Sequence, residues 1–419
     1  MSKRAYRATR VNDVNWDQLA QGKDGLDIAL GVDVGKYSLW AVCRWADGRF
    51  ERPWRVQNPG EIPTLLTLLK RVSAGREVGC GDGVLRDVWR RSAASVGRQP
   101  DPGPAGRWQK AAHDYAEVFD GVPSQHDGKD AAVVAELAAL GKAMPWEYQP
   151  ADPWEQELAY WVEWMVAHRL MLTIWQGRLE GLLARHWPEA TQVLKLSSGT
   201  LLRVLKRYGT SQALAADGEA AKLLARWGGA FLAPEKIEQL LAGAGASVGV
   251  RLGEWQQRQI QNYAQQALAA RQEANRAQRR LRSLAAGHAV LQAQGKVVGV
   301  PTACVLWAST GDPRKYHAAG AYRKAMGLNL VERSSGTYQG RLRISKRGSP
   351  RTRQWLYFAV LRLVRKCGVR SWYEAKKAHD EADARRAVVA VMRKLAVALY
   401  YVGGGCTRAG PAGADTFPF

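Results

Sequence analysis

The sequence predicts an α/β sheet domain at the N-terminus joined to an all-α remainder, and three observations predict it. Residues 25–57 alternate short apolar runs with turn signals, as successive strands do. From about residue 150 onward apolar residues recur at helical spacing. The chain has 419 residues, 46% of them hydrophobic, which is too long for one ordinary domain and enough to bury two or three cores.

The strings LDIALGVDVG, YSLWAVCRWADG and RFERPWRVQN read as three consecutive strands. The Pro59-Gly60 turn opens an amphipathic helix through IPTLLTLLKRV, REVGCG returns to a strand, and VLRDVWRRSAASV reads as a helix. Strands first and alternating units afterwards give a mixed sheet. QPDPGPAG reads as a loop or a lost element, and HDGKDAAVVAELAALG starts a helix with acids in its first turn. The sheet domain is thus expected over residues 25–145, after a polar arm at 1–24. Residues 146–294 read as helices, broken at His186-Trp187-Pro188 and by glycines around Gly228 and from Gly243 to Gly249. Within them Glu254 to Ala286 is rich in Gln, Arg and Ala, as in a long arm or coiled coil that packs against another chain. A mainly helical domain follows at 295–402, then a Gly/Pro-rich flexible tail at 403–419.

Lys and Arg number 61 against 38 Asp and Glu, a formal charge of +23, which is the footprint of a nucleic-acid binder. The excess is concentrated. Residues 296–370 hold 16 Lys and Arg against only Asp312 and Glu332. A membrane role is disfavoured, because no apolar run reaches about 18 residues and the first 18 residues lack an apolar signal core. A soluble, cytoplasmic protein is expected. The cysteines, Cys43, Cys80, Cys304, Cys367 and Cys406, form no CxxC pair or Cys/His cluster, so they read as small core residues. Trp154, Trp161, Trp164 and Trp175 share one predicted helix and read as core packing, with stacking on unpaired bases as the alternative.

Four acids stand out. Asp33 ends a strand in GVDVGKYS, where a carboxylate on rigid scaffold suits a hard cation such as Mg²⁺, although such residues also cap turns. Asp82 follows a strand in VGCGDG. Asp127 and Asp130 lie at i and i+3 in HDGKDA, on one side of a helix, where they could also simply complement the helix N-terminus. Clustered carboxylates repel one another, so a chain keeps them together where divalent cations need them.

In the basic region, Ser334 and Ser335 precede Gly336 in a turn flanked by Arg333, Arg341 and Arg343, followed by Lys346, Arg347, Arg351 and Arg353. The bland reading is a hairpin turn whose cations track a phosphate backbone. The sharper one is a nucleophilic serine, with arginines holding the scissile phosphate by paired contacts. Residues 298–303, VGVPTA, read like a helix-hairpin-helix turn in which Pro301 stands for the second glycine and removes one N–H donor, with an ordinary helix-turn-helix packing corner as an equal alternative.

GVDVGK, a carboxylate after the fourth strand, and DxxDA opening a helix together resemble the RNase H/RuvC-like catalytic domain of DEDD-type insertion-sequence transposases, which is similar to Holliday-junction resolvases. Asp33, Asp82, Asp127 and Asp130 match its four acidic positions, with Asp82 standing where the family usually has Glu. The strings GLNL, SSG and GRLRISKRG, with flanking sequence on both sides, resemble the serine-bearing transposase domain of the same bridge-RNA-guided recombinases. That resemblance implies Ser335 as nucleophile with Ser334 as alternative, Mg²⁺ on the acids, and Lys346 and Arg347 on phosphate. It further implies a guide (bridge) RNA that pairs with target and donor double-stranded DNA, and a dimer that forms a tetramer on DNA. A metal-dependent junction nuclease and a non-catalytic RNA-binding protein stay open as rival readings.

Overall fold

The computed structural model describes residues 7–72, 78–80, 115–116, 118–119, 126–141, 152–332, 335, 340, 342–380 and 382–404. Its contacts divide the chain into two units, Met1–Pro153 and Trp154–Phe419.

The first unit holds the expected mixed sheet. Its described elements are β1 (Thr9–Arg10), α1 (Trp16–Ala20), β2 (Ile28–Val34), β3 (Ser38–Trp45), β4 (Trp54–Gln57), α2 (Ile62–Val72), β5 (Val78–Cys80) and α3 (Asp127–Ala139). The strand order is β1-β4-β3-β2-β5. β2, β3 and β4 form an antiparallel meander, while β5 lies parallel to β2 and β1 parallel to β4. The first reversal is tight because the Gly35 N–H donates to the Ser38 carbonyl at 2.9 Å. Trp16 stacks on Trp45 with ring centroids 5.9 Å apart, which seats α1 on the sheet.

Strand alternation assigns the two faces of β2. Ile28, Leu30 and Val32 join Ile62, Leu65 and Leu68 of α2 in one core. The opposite face carries Ala29, Gly31 and Asp33 and meets α3. At Gly31 the approach is so close that a Cβ would lie 1.9 Å from the Ala131 carbonyl oxygen and 2.4 Å from the Ala135 nitrogen. Both of those atoms are backbone and cannot swing aside, so Gly31→Ala must lift the helix off the strand. We expect it to lower the stability of this unit by about 3 kcal/mol or more, read as an earlier denaturant midpoint. A midpoint equal to wild type would show that α3 does not lie where described.

The second unit is helical: α4 (Pro153–His186), α5 (Pro188–Val193), α6 (Gly199–Arg207), α7 (Ser211–Ala215), α8 (Ala220–Gly228), α9 (Pro234–Gly245), α10 (Glu254–Ala286), α11 (Ala289–Val298), α12 (Val300–Thr310), α13 (Ala319–Ala325), α14 (Pro350–Leu363), α15 (Cys367–His379) and α16 (Ala384–Val402). Between α13 and α14 runs a two-stranded antiparallel ribbon, β6 (Leu330–Val331) and β7 (Arg343–Ile344). The break read at His186-Trp187-Pro188 is where α4 yields to α5, with Trp187 buried and Pro188 opening the new helix.

The long helices α4 and α10 run antiparallel, fixed by Glu157–Arg280 at 2.6 Å, by Trp164 Nε1 donating to Glu273 at 3.0 Å, and by Trp175 against Tyr263 at 5.3 Å. The apolar stripe of α10, from Ile260 through Ala264, Ala267, Ala270 and Ala274 to Leu281, is buried within its own chain. Its small side chains let α6 lie close. Within the chain, α4 and α6 lie against this helix. One core gathers at each end of this pair: Leu179 and Leu183 with α5–α9 and Ile260, and Leu158 and Met165 with Leu281 and α11–α16. Trp154, Trp161 and Trp164 pack against the second core and Trp175 against the first, as expected of packing residues. Among the described residues no helix is long and apolar enough to cross a membrane.

Candidate active site in two parts

The acidic part is built by β2 and α3. Asp33 follows Gly31 on the face that meets α3, and Asp127 and Asp130 occupy the first turn of that helix. The turn is fixed by His126, whose Nδ1 accepts the Gly128 N–H at 3.0 Å and whose ring meets Trp40 edge-on at 5.1 Å. An ion pair between Arg44 of β3 and Glu136 ties the middle of α3 to the sheet. Asp33 is half-buried, whereas Asp127 and Asp130 are exposed.

The three carboxylates feel one another. Burial, then the charges of Asp130 and Asp127, push the Asp33 carboxyl up to about 6, against a smaller lowering by the Val34 N–H. Lys129, between the two helix acids, is only 2% exposed. The sequence does not single it out, since a lysine in a first helical turn reads as a solvated charge.

Asp82 lies outside the described residues. Among the described residues, no three His, Cys, Asp or Glu side chains are grouped tightly enough to hold a metal ion. The donor chemistry of Asp33, Asp127 and Asp130 nevertheless suits a hard divalent cation: all are carboxylates, and their mutual repulsion is what a cation would relieve.

The serine part is the connection between β6 and β7, termed the arch, whose flanking strands pair with Leu330 opposite Ile344 and Val331 opposite Arg343. Ser335 sits on the arch and is exposed. Arg333, Ser334, Gly336 and Arg341 lie outside the described residues. Below the arch, the Ser345 N–H donates to the Asn329 carbonyl at 2.6 Å and the Lys346 N–H to the Gly327 carbonyl at 3.2 Å. Gly327 has φ +72, and a Cβ there would lie 3.0 Å from the Arg347 carbonyl oxygen, so this crossing favours glycine.

The basic residues of this region divide by their partners. Arg343, Lys346 and Arg347 are exposed, with Lys346 in the left-handed region at φ +54. Arg353 is half-buried and donates to the Gly348 carbonyl at 3.0 Å, bracing the arch, and burial lowers its pKa. Arg351 forms a two-pronged ion pair with Glu163 of α4. The turn at residues 298–303 is a helix–turn–helix corner in which Gly299, at φ +86, separates α11 from α12.

No curated protein matches this chain. Residues 291–377, which span the serine arch, match the model of the Transposase IS116/IS110/IS902 family, and the match supports an insertion-sequence transposase.

Proposed function

We propose that the protein is an RNA-guided DNA recombinase of a mobile element, which cuts and rejoins target and donor DNA by attack of Ser335 on a phosphodiester. The observation that carries this reading is the family match over residues 291–377, which contain an exposed serine on an arch with cations at its base. In this reading the Ser335 Oγ bonds to phosphorus, the DNA oxygen leaves, and the serine proton ends on that oxygen as a free hydroxyl. The phosphoserine ester keeps the energy of the broken bond, so a hydroxyl from another strand reseals it without ATP. Arg343, Lys346 and Arg347, together with Arg333 and Arg341, offset the negative charge that builds on the phosphate oxygens. Asp33, Asp82, Asp127 and Asp130 would hold Mg²⁺, which when bound polarises a phosphoryl oxygen.

Target choice belongs to a bridge RNA that pairs with both DNAs, while the protein grips backbone and shape. The charge of +23 supports nucleic-acid partners of that kind. The assembly is a dimer that pairs into a tetramer on two DNAs, the acids of one subunit serving the serine of another, and it works in the cytoplasm. Sequencing the RNA that copurifies with the full chain tests the guide. One discrete structured species is expected, and a broad sample of host transcripts would overturn RNA guidance.

A further inference from the structure

An open groove of ≈ 360 Å³ in the second unit is lined by α4, α10, the α11–α12 corner and α14. Its charged lining is Arg169, Lys296, Arg362 and Lys366, and no Asp or Glu is among the described residues that line it. Two of these cations are held in place by neutral groups. Arg169 stacks on the Trp355 ring at 5.1 Å and donates to Gln278 Oε1 at 3.3 Å. Arg362 donates to the Val298 carbonyl at 2.9 Å and to Thr302 Oγ1 at 3.3 Å. Removal from water and then repulsion by Arg362 lower the pKa of Arg169. Neighbouring cations outside the groove are treated differently: Arg351 is paired with Glu163, and Arg314 with Asp312 at 2.6 Å. The groove therefore orients positive charge without neutralising it, as a site for an anion requires.

Its place in the fold indicates which anion. α14 follows β7 in the chain, with Ser349 as its N-cap, and presents Trp355, Ala359 and Arg362 along one face, with Lys366 just beyond its C-terminus. Along α14, from Pro350 to Leu363, the helical rise is about 20 Å, the span of about six phosphates along one strand of a duplex. The single aromatic ring in the lining, Trp355, has its face covered by Arg169, so no platform is left for an unstacked base.

We propose that this groove holds the sugar–phosphate backbone of duplex DNA several nucleotides away from the bond that Ser335 attacks. The inference rests on the recombinase reading for the identity of that bond, while the groove's affinity for duplex stands apart from it. The test measures binding of the full chain to a 30-bp DNA duplex and to an RNA duplex as salt is raised, for wild type and for Lys296→Gln/Lys366→Gln. The log–log salt slope for DNA should fall by about 2, near 0.9 for each phosphate that is no longer neutralised. DNA affinity at 0.15 M salt should drop at least about tenfold, and Lys296→Arg/Lys366→Arg should restore both. An unchanged slope overturns the proposal, as does a fall confined to RNA. Should the Gln variant unfold, Lys366→Gln alone decides on the same criterion with a fall of about 1. Neutral methylphosphonates placed singly in the DNA should weaken wild-type binding at positions several nucleotides from the joined phosphate and leave the Gln variant indifferent. Interference confined to the joined phosphate overturns the placement. The salt slope reads binding whether or not strands are joined, so failure to form a protein–DNA link would sink the recombinase reading and leave the groove's answer intact.

Discussion

Ser335→Ala is expected to remove every covalent protein–DNA adduct from a denaturing gel, with strand exchange falling on the order of 10⁴-fold or more. Three features make the expectation sharp. Ser335 is exposed, so losing its hydroxyl leaves no buried partner unsatisfied and should change stability by no more than about 0.5 kcal/mol. The segments that flank the serine connection are tied by backbone bonds at Asn329 and Gly327 and by Arg353 on Gly348, none of which involves the serine. Duplex binding, carried by cations spread over the unit, should stay within about twofold of wild type. Loss of linkage without loss of binding or fold then isolates the nucleophile. Adduct that persists in Ser335→Ala and disappears in Ser334→Ala would transfer attack to the neighbouring hydroxyl. Free ends with no adduct in wild type would instead favour the junction nuclease, in which water attacks and the arch only binds.

Much of this arrangement can be read in the sequence, and what cannot be read shares one cause. β2, β3 and β4 announce themselves by alternation, and the α4–α5 break by Pro188, because those signals lie within a few residues. The edge strand Thr9–Arg10 has only two residues, too few to show any period, and is defined solely by its pairing with Trp54 and Arg55. The ribbon under the arch is equally short. Arg351 and Arg353 look alike in sequence, yet one is claimed by Glu163, 188 positions away, and the other by a carbonyl five positions back. The groove cations are legible only as part of a basic stretch, since Arg169 comes from a helix almost 200 residues before Arg362 and Lys366. For the acids, strand-end and helix-start positions single out Asp33, Asp127 and Asp130. Their mutual influence depends on Gly31, whose missing side chain allows α3 to settle on β2.

Burial of Asp33, together with the charges of Asp130 and Asp127, gives the second large effect. The Asp33 carboxyl, ordinarily near 3.8, titrates at about 6 in the folded chain, so between those values the native state binds the proton more tightly than the unfolded state. Stability must therefore fall as pH rises through this window, and at neutral pH the ionised carboxylate, partly screened by solvent, costs the fold on the order of 1–2 kcal/mol. Asparagine keeps the shape and can still accept the Val34 N–H but carries no charge. Asp33→Asn should accordingly unfold later than wild type at pH 8, with the advantage shrinking to nothing below about pH 4. Strand exchange should be lost in the same variant. If the crowded charge exists to hold a divalent cation, Mg²⁺ should raise the pH 8 midpoint of wild type and leave Asp33→Asn unmoved. A variant no more stable than wild type at pH 8 would mean that neither burial nor the charges of Asp130 and Asp127 press on Asp33, and the acidic half of the site would lose its physical basis. The combination of gained stability and lost activity separates a functional carboxylate from a turn-capping one, because removing a capping carboxylate costs stability at every pH where it is ionised.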